Sequence, residues 1–263
     1  MDTYRIKIIF RRHPAIWKLI AINAGVTVLC WICGAISLLS DSGFNMSSWL
    51  AVPVSPALLA LKWWTPISYM FTQTSILHLL FNMMWLFWFG DILADTCGQR
   101  RVWTTYLTGG IAGAMLFILI SLLFPSLNGA NLTGSSAAVV AVMAEAALRQ
   151  PDRRFRLFLI GDIRLKWLAI ISLGLLILGL GGGNAGGQAA HIGGAIAGLS
   201  IYLLSRIPRH RPSKRNATKV NAAIKRHHAD MARLDQILDK IKLSGYESLT
   251  KAEKRELQNL SNM

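Results

Sequence analysis

Charged residues are what this chain has least of. Only 16% of its 263 residues are Asp, Glu, Lys or Arg, against roughly 25% in an ordinary soluble domain, and the deficit is concentrated. The stretches Trp63–Gly90, Val102–Phe124 and Trp167–Ser205 contain none of the four. Each is long enough to hold the roughly 20 apolar residues that cross a hydrocarbon core. An ordinary soluble enzyme is excluded, and the chain reads as a polytopic membrane protein. Cysteine is sparse too. Cys30 and Cys33 share one apolar run and Cys97 stands alone, so no disulfide or metal framework is encoded and the thiols read as buried or reduced. Acidic residues number 13 against 28 Lys and Arg, which leaves Glu145 as the one carboxylate expected within the spans.

The positive charges alternate from loop to loop, and Lys and Arg mark the cytoplasmic side of a membrane protein. Arg5, Lys7, Arg11, Arg12 and Lys18 precede or open a first span, Ala15 to about Leu39. Arg100 and Arg101 follow the second, a basic loop from Arg149 to Lys166 separates the fourth from the fifth, and fourteen more start at Arg206. The other loops carry only Lys62. The alternation requires a crossing by the short, Ala-rich segment Gly134–Leu148 and gives six spans with both termini cytoplasmic. A basic nucleic-acid-binding domain would instead gather its charges on one folded face, so no nucleic-acid partner is expected. Between Asp41 and Lys62, Trp49 and several leucines, followed by Trp63 and Trp64, suit a loop lying in the membrane interface. Gly179, Gly181, Gly182, Gly183, Gly186 and Gly187 divide the last apolar run with a tight turn.

The organisation expected is a basic N-terminus at 1–14, a six-helix membrane domain at 15–205, a basic linker at 206–217 and a cytosolic helical hairpin at 218–263. In the hairpin, Val220, Ile224, His227, Met231, Leu234, Leu238 and Ile241 recur at helical spacing. Ser244-Gly245 ends that helix, and Thr250 with Glu253 forms a capping-box pattern that opens a second. The apolar seam must pack on something, and His210, His227 and His228 show no companions that would bind a metal.

Polar residues in membrane spans are costly and tend to mark function. His78 and Asn82, four apart, project from one helix face. Ser136 sits where the fourth helix should start, near free N–H groups that favour a developing anion. His191 is followed by Gly194 and Gly198, a small-residue face that permits close helix approach, and Ala137, Ala138, Ala141 and Ala144 of the fourth helix form its natural counterpart. A serine held near a histidine can act as a nucleophile, and His78, Asn82 and the Ser136 N–H could bind an oxyanion. Glu145 lies about 13 Å along the helix from Ser136 at 1.5 Å per residue, too far to orient that histidine, so a dyad is the consistent arrangement. On the residues alone, a hydrolase, a transporter and a scaffold all stay open.

The ordered set His78-x-x-x-Asn82, Gly134-x-Ser136 and Ala190-His191 with Gly194 and Gly198, between about Trp64 and Tyr202, resembles the rhomboid intramembrane serine proteases. The resemblance implies an all-α, six-transmembrane-helix bundle with Ser136 as nucleophile, His191 as general base and then acid, and His78 and Asn82 as oxyanion donors, with Gly134, Gly194 and Gly198 in support. It implies cleavage of transmembrane protein substrates within the lipid bilayer, in a bacterial inner membrane, with no cofactor and no metal. Four positions depart from the family pattern: Ala137 follows the serine where glycine is usual, Gln73 stands where many members have histidine, Thr65 follows Trp64 where arginine is common, and Val140 replaces a frequent aromatic. The alternative is a catalytically inactive relative acting as a membrane scaffold; such relatives usually lose the serine or the histidine, and both are here. A broken-helix transporter is disfavoured by the lack of an inverted repeat.

Overall fold

In the computed structural model, which describes residues 13–124, 131–157, 161–178, 185–207, 225 and 231–261, the apolar runs are helical. The chain divides into two units, 1–207 and 208–263. In the first, α1 (Pro14–Ser40) begins with a proline, whose missing N–H costs nothing in a first turn, and ends where Asp41 turns left-handed at φ 51°. Ser75 caps α2 (Ile76–Cys97), its Oγ accepting the His78 N–H at 3.2 Å. Next come α3 (Gln99–Leu123), α4 (Ser136–Arg149), α5 (Leu165–Leu178) and α6 (Ala185–Arg206). Among the described residues, four helices are long and apolar enough to cross a membrane: α1, α2, α3 and the 186–206 part of α6. At 14 residues each, α4 and α5 rise about 21 Å, short of a ~30 Å hydrocarbon core.

α4 is the centre of the unit. Every residue from Ala137 to Ala147 is buried, and α2, α3, α5 and α6 all pack against it. The outer faces of the bundle expose Leu38, Leu77, Phe81, Leu119, Ile196 and Leu203, apolar side chains that suit a lipid solvent and no aqueous one.

Glycine sets the spacing of the inner helices. A Cβ at Gly194 would collide with the Ala137 carbonyl and one at Gly198 with the Ala141 carbonyl, so α6 rides on the backbone of α4. The same helix also rides on α3, where a Cβ at Gly193 would come within 2.6 Å of the Ala112 oxygen. Contact with α4 is the expected one, and contact with α3 is an addition to it, although Gly109 and Gly113 carry the same small-residue spacing.

At the end of α4 away from Ser136, the fully buried Glu145 carboxylate draws three helices together. It accepts from Arg101 Nε at 2.7 Å, Thr105 Oγ1 at 2.5 Å and Arg149 Nη2 at 2.6 Å. The guanidinium groups continue to the Ile201 carbonyl (3.0 Å) and Ser205 Oγ (2.9 Å) on α6.

Three expectations need correction or restriction. The basic loop after α4 is not irregular: β1 (Arg154–Leu157) and β2 (Gly161–Arg164) pair antiparallel with Arg154 opposite Arg164 and Phe155 opposite Ile163. The unit is therefore mostly helical and not purely so, and the alternation of charged and apolar residues from Arg154 to Leu157 is the period of a strand. Gly186 and Gly187 belong to α6 and not to the turn, because poor helix formers are tolerated where the first turn lacks internal bonds in any case. The turn glycines 179–183, the loop residues 125–130 and the basic segments 1–12 and 208–220 lie outside the described residues.

Between α1 and α2 run short helices at Met46–Leu50, Pro56–Leu61 and Thr65–Ser68 and a 3₁₀ turn at Tyr69–Phe71. Trp49 stacks on Trp64 with centroids 6.1 Å apart, and Trp63 is exposed, the arrangement of an interfacial aromatic belt. Val52 pairs with Leu132 through two backbone hydrogen bonds of 3.0 and 2.9 Å, tying this segment to the strand-like approach to α4.

In the second unit a helix at 231–244 (α7) and α8 (Lys251–Ser261) flank a turn at Gly245. The capping box is formed: Glu253 Oε2 accepts from Thr250 N at 2.8 Å, and the Glu253 N–H donates to Thr250 Oγ1 at 3.3 Å. Lys240 pairs with Glu253 at 2.9 Å and Arg233 with Glu256 at 3.3 Å, and Ile237 and Leu249 are buried. Of the earlier part of the predicted amphipathic helix, only residue 225 is among the described residues.

Candidate active site at the start of α4

The approach to α4 is shaped by Gly134. Its φ of +116° is a region L side chains rarely adopt, and a Cβ there would lie 2.6 Å from His78 Cε1. Its N–H donates to the Tyr69 carbonyl at 3.1 Å, so one glycine both makes the turn and seats the histidine ring. Ser135 follows as the N-cap, and Ser136 opens the helix, where unpaired N–H groups and the helix dipole favour negative charge.

His191 reaches Ser136 from α6. Its Nε2 lies 2.8 Å from Ser136 Oγ, within hydrogen-bond distance for a nucleophile and its base. The close approach follows from Gly194, three residues on, packing against the Ala137 carbonyl next to the serine. Both side chains are half-buried. For Nε2 to accept the serine proton, the imidazole must be neutral with its hydrogen on Nδ1.

The remaining predicted residues fall as follows. His78, in the first turn of α2, has its Nδ1 3.1 Å from Thr74 Oγ1. Asn82, one turn further, is buried and donates from Nδ2 to Gln73 Oε1 at 3.0 Å. Among the described residues no hydrogen bond joins either to Ser136. Gly198 lies on the α4 contact, and Glu145 is committed to the arginines at the other end.

The sequence reading missed how far a buried polar chain extends behind the site. Gln73 Nε2 donates to Ser135 Oγ at 2.7 Å and to Asn23 Oδ1 at 3.2 Å. Asn23, on α1, donates to the Leu19 carbonyl and to the Tyr106 hydroxyl, each at 2.9 Å, and Tyr106 donates to the Met70 carbonyl at 2.8 Å. The signal was a row of polar residues, Asn23, Gln73 and Ser135, at positions otherwise apolar.

One cluster among the described residues has the composition of a metal site: His13, Asp91 and Asp95, with ligand atoms within 4.8 Å of one another. Its hydrogen bonding argues for a proton instead. Gln99 Oε1 is taken by the Ala15 N–H at 3.0 Å, so Gln99 Nε2 must be the donor to His13 Nδ1 at 2.7 Å. The neutral ring's hydrogen therefore sits on Nε2, which lies 3.1 and 3.0 Å from the two carboxylates without hydrogen-bond geometry to either, and no ring lone pair faces the cluster.

A rhomboid domain family model matches residues 60–207 of the chain, and a family of unknown function (DUF6576) matches 224–263. The chain is 31% identical over 184 residues to proteins named rhomboid protease GlpG from Yersinia pestis and Yersinia pseudotuberculosis, a match covering 68% of this chain and 60% of each relative. It is 26% identical over 137 residues to the presenilin-associated rhomboid-like protein A, mitochondrial, of Danio rerio, covering 49% of this chain and 34% of that protein. The chain thus spans less than two thirds of the length of these curated relatives.

Proposed function

Because this integral membrane protein belongs to the rhomboid family, we propose that it is an intramembrane serine endopeptidase in which Ser136 and His191 form the catalytic dyad. The observation that carries the reading is the 2.8 Å approach of His191 Nε2 to Ser136 Oγ at the start of a short, enclosed helix. Ser136 Oγ attacks the peptide carbonyl carbon while its proton passes to His191 Nε2. The charge that appears on the carbonyl oxygen is met by the Ser136 N–H, His78 and the second N–H of Asn82. Collapse of this intermediate breaks the C–N bond, and the imidazolium gives its proton to the departing amine. Water, deprotonated by the same histidine, then hydrolyses the acyl-enzyme.

The substrates are membrane-anchored proteins cut within or beside a transmembrane helix. The distribution of Lys and Arg favours six crossings with both termini in the cytoplasm and Ser136 toward the outer side of a bacterial cell membrane. Residues 15–205 form the catalytic membrane domain, and the hairpin within 218–263 is a cytosolic appendage.

The test is labelling of the purified protein by a fluorophosphonate probe, together with cutting of a model transmembrane substrate, in wild type, Ser136→Ala and His191→Ala. Labelling and cutting lost in both variants support the reading. A wild type that neither labels nor cuts would sink it in favour of an inactive, client-binding rhomboid relative.

A further inference from the structure

The geometry assigns Gln73 a positioning role: it fixes which end of the Asn82 amide faces the oxyanion, an inference that rests on the dyad and oxyanion reading above. The polarity of the buried chain can be followed link by link. A backbone carbonyl only accepts, so Leu19 O obliges Asn23 to turn Nδ2 toward it, at 2.9 Å. The Asn23 oxygen is thereby left facing Gln73, which must offer its Nε2, at 3.2 Å. The same nitrogen donates to Ser135 Oγ at 2.7 Å, on the residue that caps the helix of the proposed nucleophile. Gln73 Oε1 is consequently turned to Asn82, and an amide oxygen can only accept.

Asn82 must answer with an N–H, which it does at 3.0 Å. One amide hydrogen is used in this way and the second is the donor available to a developing anion. Without Gln73, nothing among the described residues would stop the amide from turning over and presenting its oxygen, which repels an oxyanion. The hydroxyl of Tyr106 closes the network, accepting from Asn23 while donating to the Met70 carbonyl. Asn23, Gln73 and Tyr106 are essentially inaccessible to solvent, so water cannot replace a missing link. Asn23 lies on α1, outside the span that matches the rhomboid domain model, so the first helix helps to orient the site from a distance.

Gln73 is suited to this because it is donor and acceptor at once. Histidine, with one N–H and one bare nitrogen, can keep the same polarity, whereas leucine keeps only the bulk. The experiment measures kcat and KM of the full chain on a fluorogenic model transmembrane peptide, with thermal unfolding of each variant alongside. Gln73→Leu is expected to lower kcat about ten-fold or more with KM changed less than about two-fold, since the affected donor acts on charge that exists only in the transition state. In an Asn82→Ala background the same substitution should cost nothing further, the signature of one residue acting through another. Gln73→His should recover most of kcat. Asn23→Leu provides a second reading of the same chain if Gln73→Leu does not fold, with a smaller kcat loss that also vanishes in the Asn82→Ala background. Additive losses, or a silent Gln73→Leu beside an impaired Asn82→Ala, overturn the positioning role and leave the dyad standing. Full kcat in Asn82→Ala removes the oxyanion role of Asn82 and the positioning role with it, whereas a wild type without Ser136-dependent cleavage removes the dyad itself.

Discussion

Two residues show how little slack the bundle has. A methyl group added at Gly194 would meet the Ala137 carbonyl, and overpacking of this kind costs about 1–3 kcal/mol. Gly194→Ala should therefore lower the thermal midpoint and slow probe labelling of Ser136, because relief of the clash moves α6 and His191 with it. Gly25→Ala, with nothing within 4 Å, is the matched control and should leave both unchanged or slightly raise stability. Glu145 gives a second contrast. Replacing it by Ala strands two partly buried guanidinium groups, a loss of about 3–5 kcal/mol where a buried pair is broken. Asp152→Ala breaks only exposed contacts to Lys166 and Arg164, which solvent and salt screen to little net effect. Detergent unfolding curves that shift equally for the two would refute the ranking. At this scale Ser136, His191, His78 and Asn82 were legible as candidates because polar groups in apolar runs are few. The bonds of Gln73 to Asn23 and Ser135 span 50 and 62 residues, and no local pattern encodes a partner at that distance.

Among the elements, α1, α2 and α3 were readable because long apolar runs with few charges leave one helical solution, and the ends of α2 were marked by a capping Ser75 and by Gly98. The β1–β2 hairpin was not, since its arginines are also what a cytoplasmic loop requires and the charge count obscured the alternation. The tail's capping box was legible from two residues, and it makes the start of α8 responsive to acid. Hydrogen bonds from Thr250 and then Lys240 hold the Glu253 carboxyl down at about 2, below the ordinary 4.5 of a glutamate. A carboxyl depressed in the folded state stabilises above its unfolded value, and that contribution is lost as pH falls toward the folded one. Hydrogen exchange at the Thr250 and Glu253 amides in the full chain should lose protection between about pH 4.5 and 2, and Glu253→Ala should abolish the pH dependence. Protection that is flat across this window in the wild type would contradict the linkage.

At the scale of the whole molecule, a bundle whose proposed nucleophile opens a 14-residue helix would bring the proposed chemistry below the membrane surface, where a substrate helix would have to unwind to expose its backbone. Cutting should fall about five-fold or more when Gly and Pro near the outer end of a model transmembrane substrate are replaced by Leu, as the ~1–3 kcal/mol that each of those residues costs a helix implies. The comparison is made with the cleavage-site residues held fixed, and undiminished cutting of the stiffened helix would count against the mechanism. The enclosure of α4 has a further effect. Bilayers differ in thickness, and a span that touches lipid adjusts by tilting or stretching its surroundings. α4 has almost no surface on which acyl chains could act, from Ala137 to Ala147, so changes in lipid length are absorbed by the outer helices while the helix bearing Ser136 is held by protein alone, a fixed post inside a wall that is free to lean.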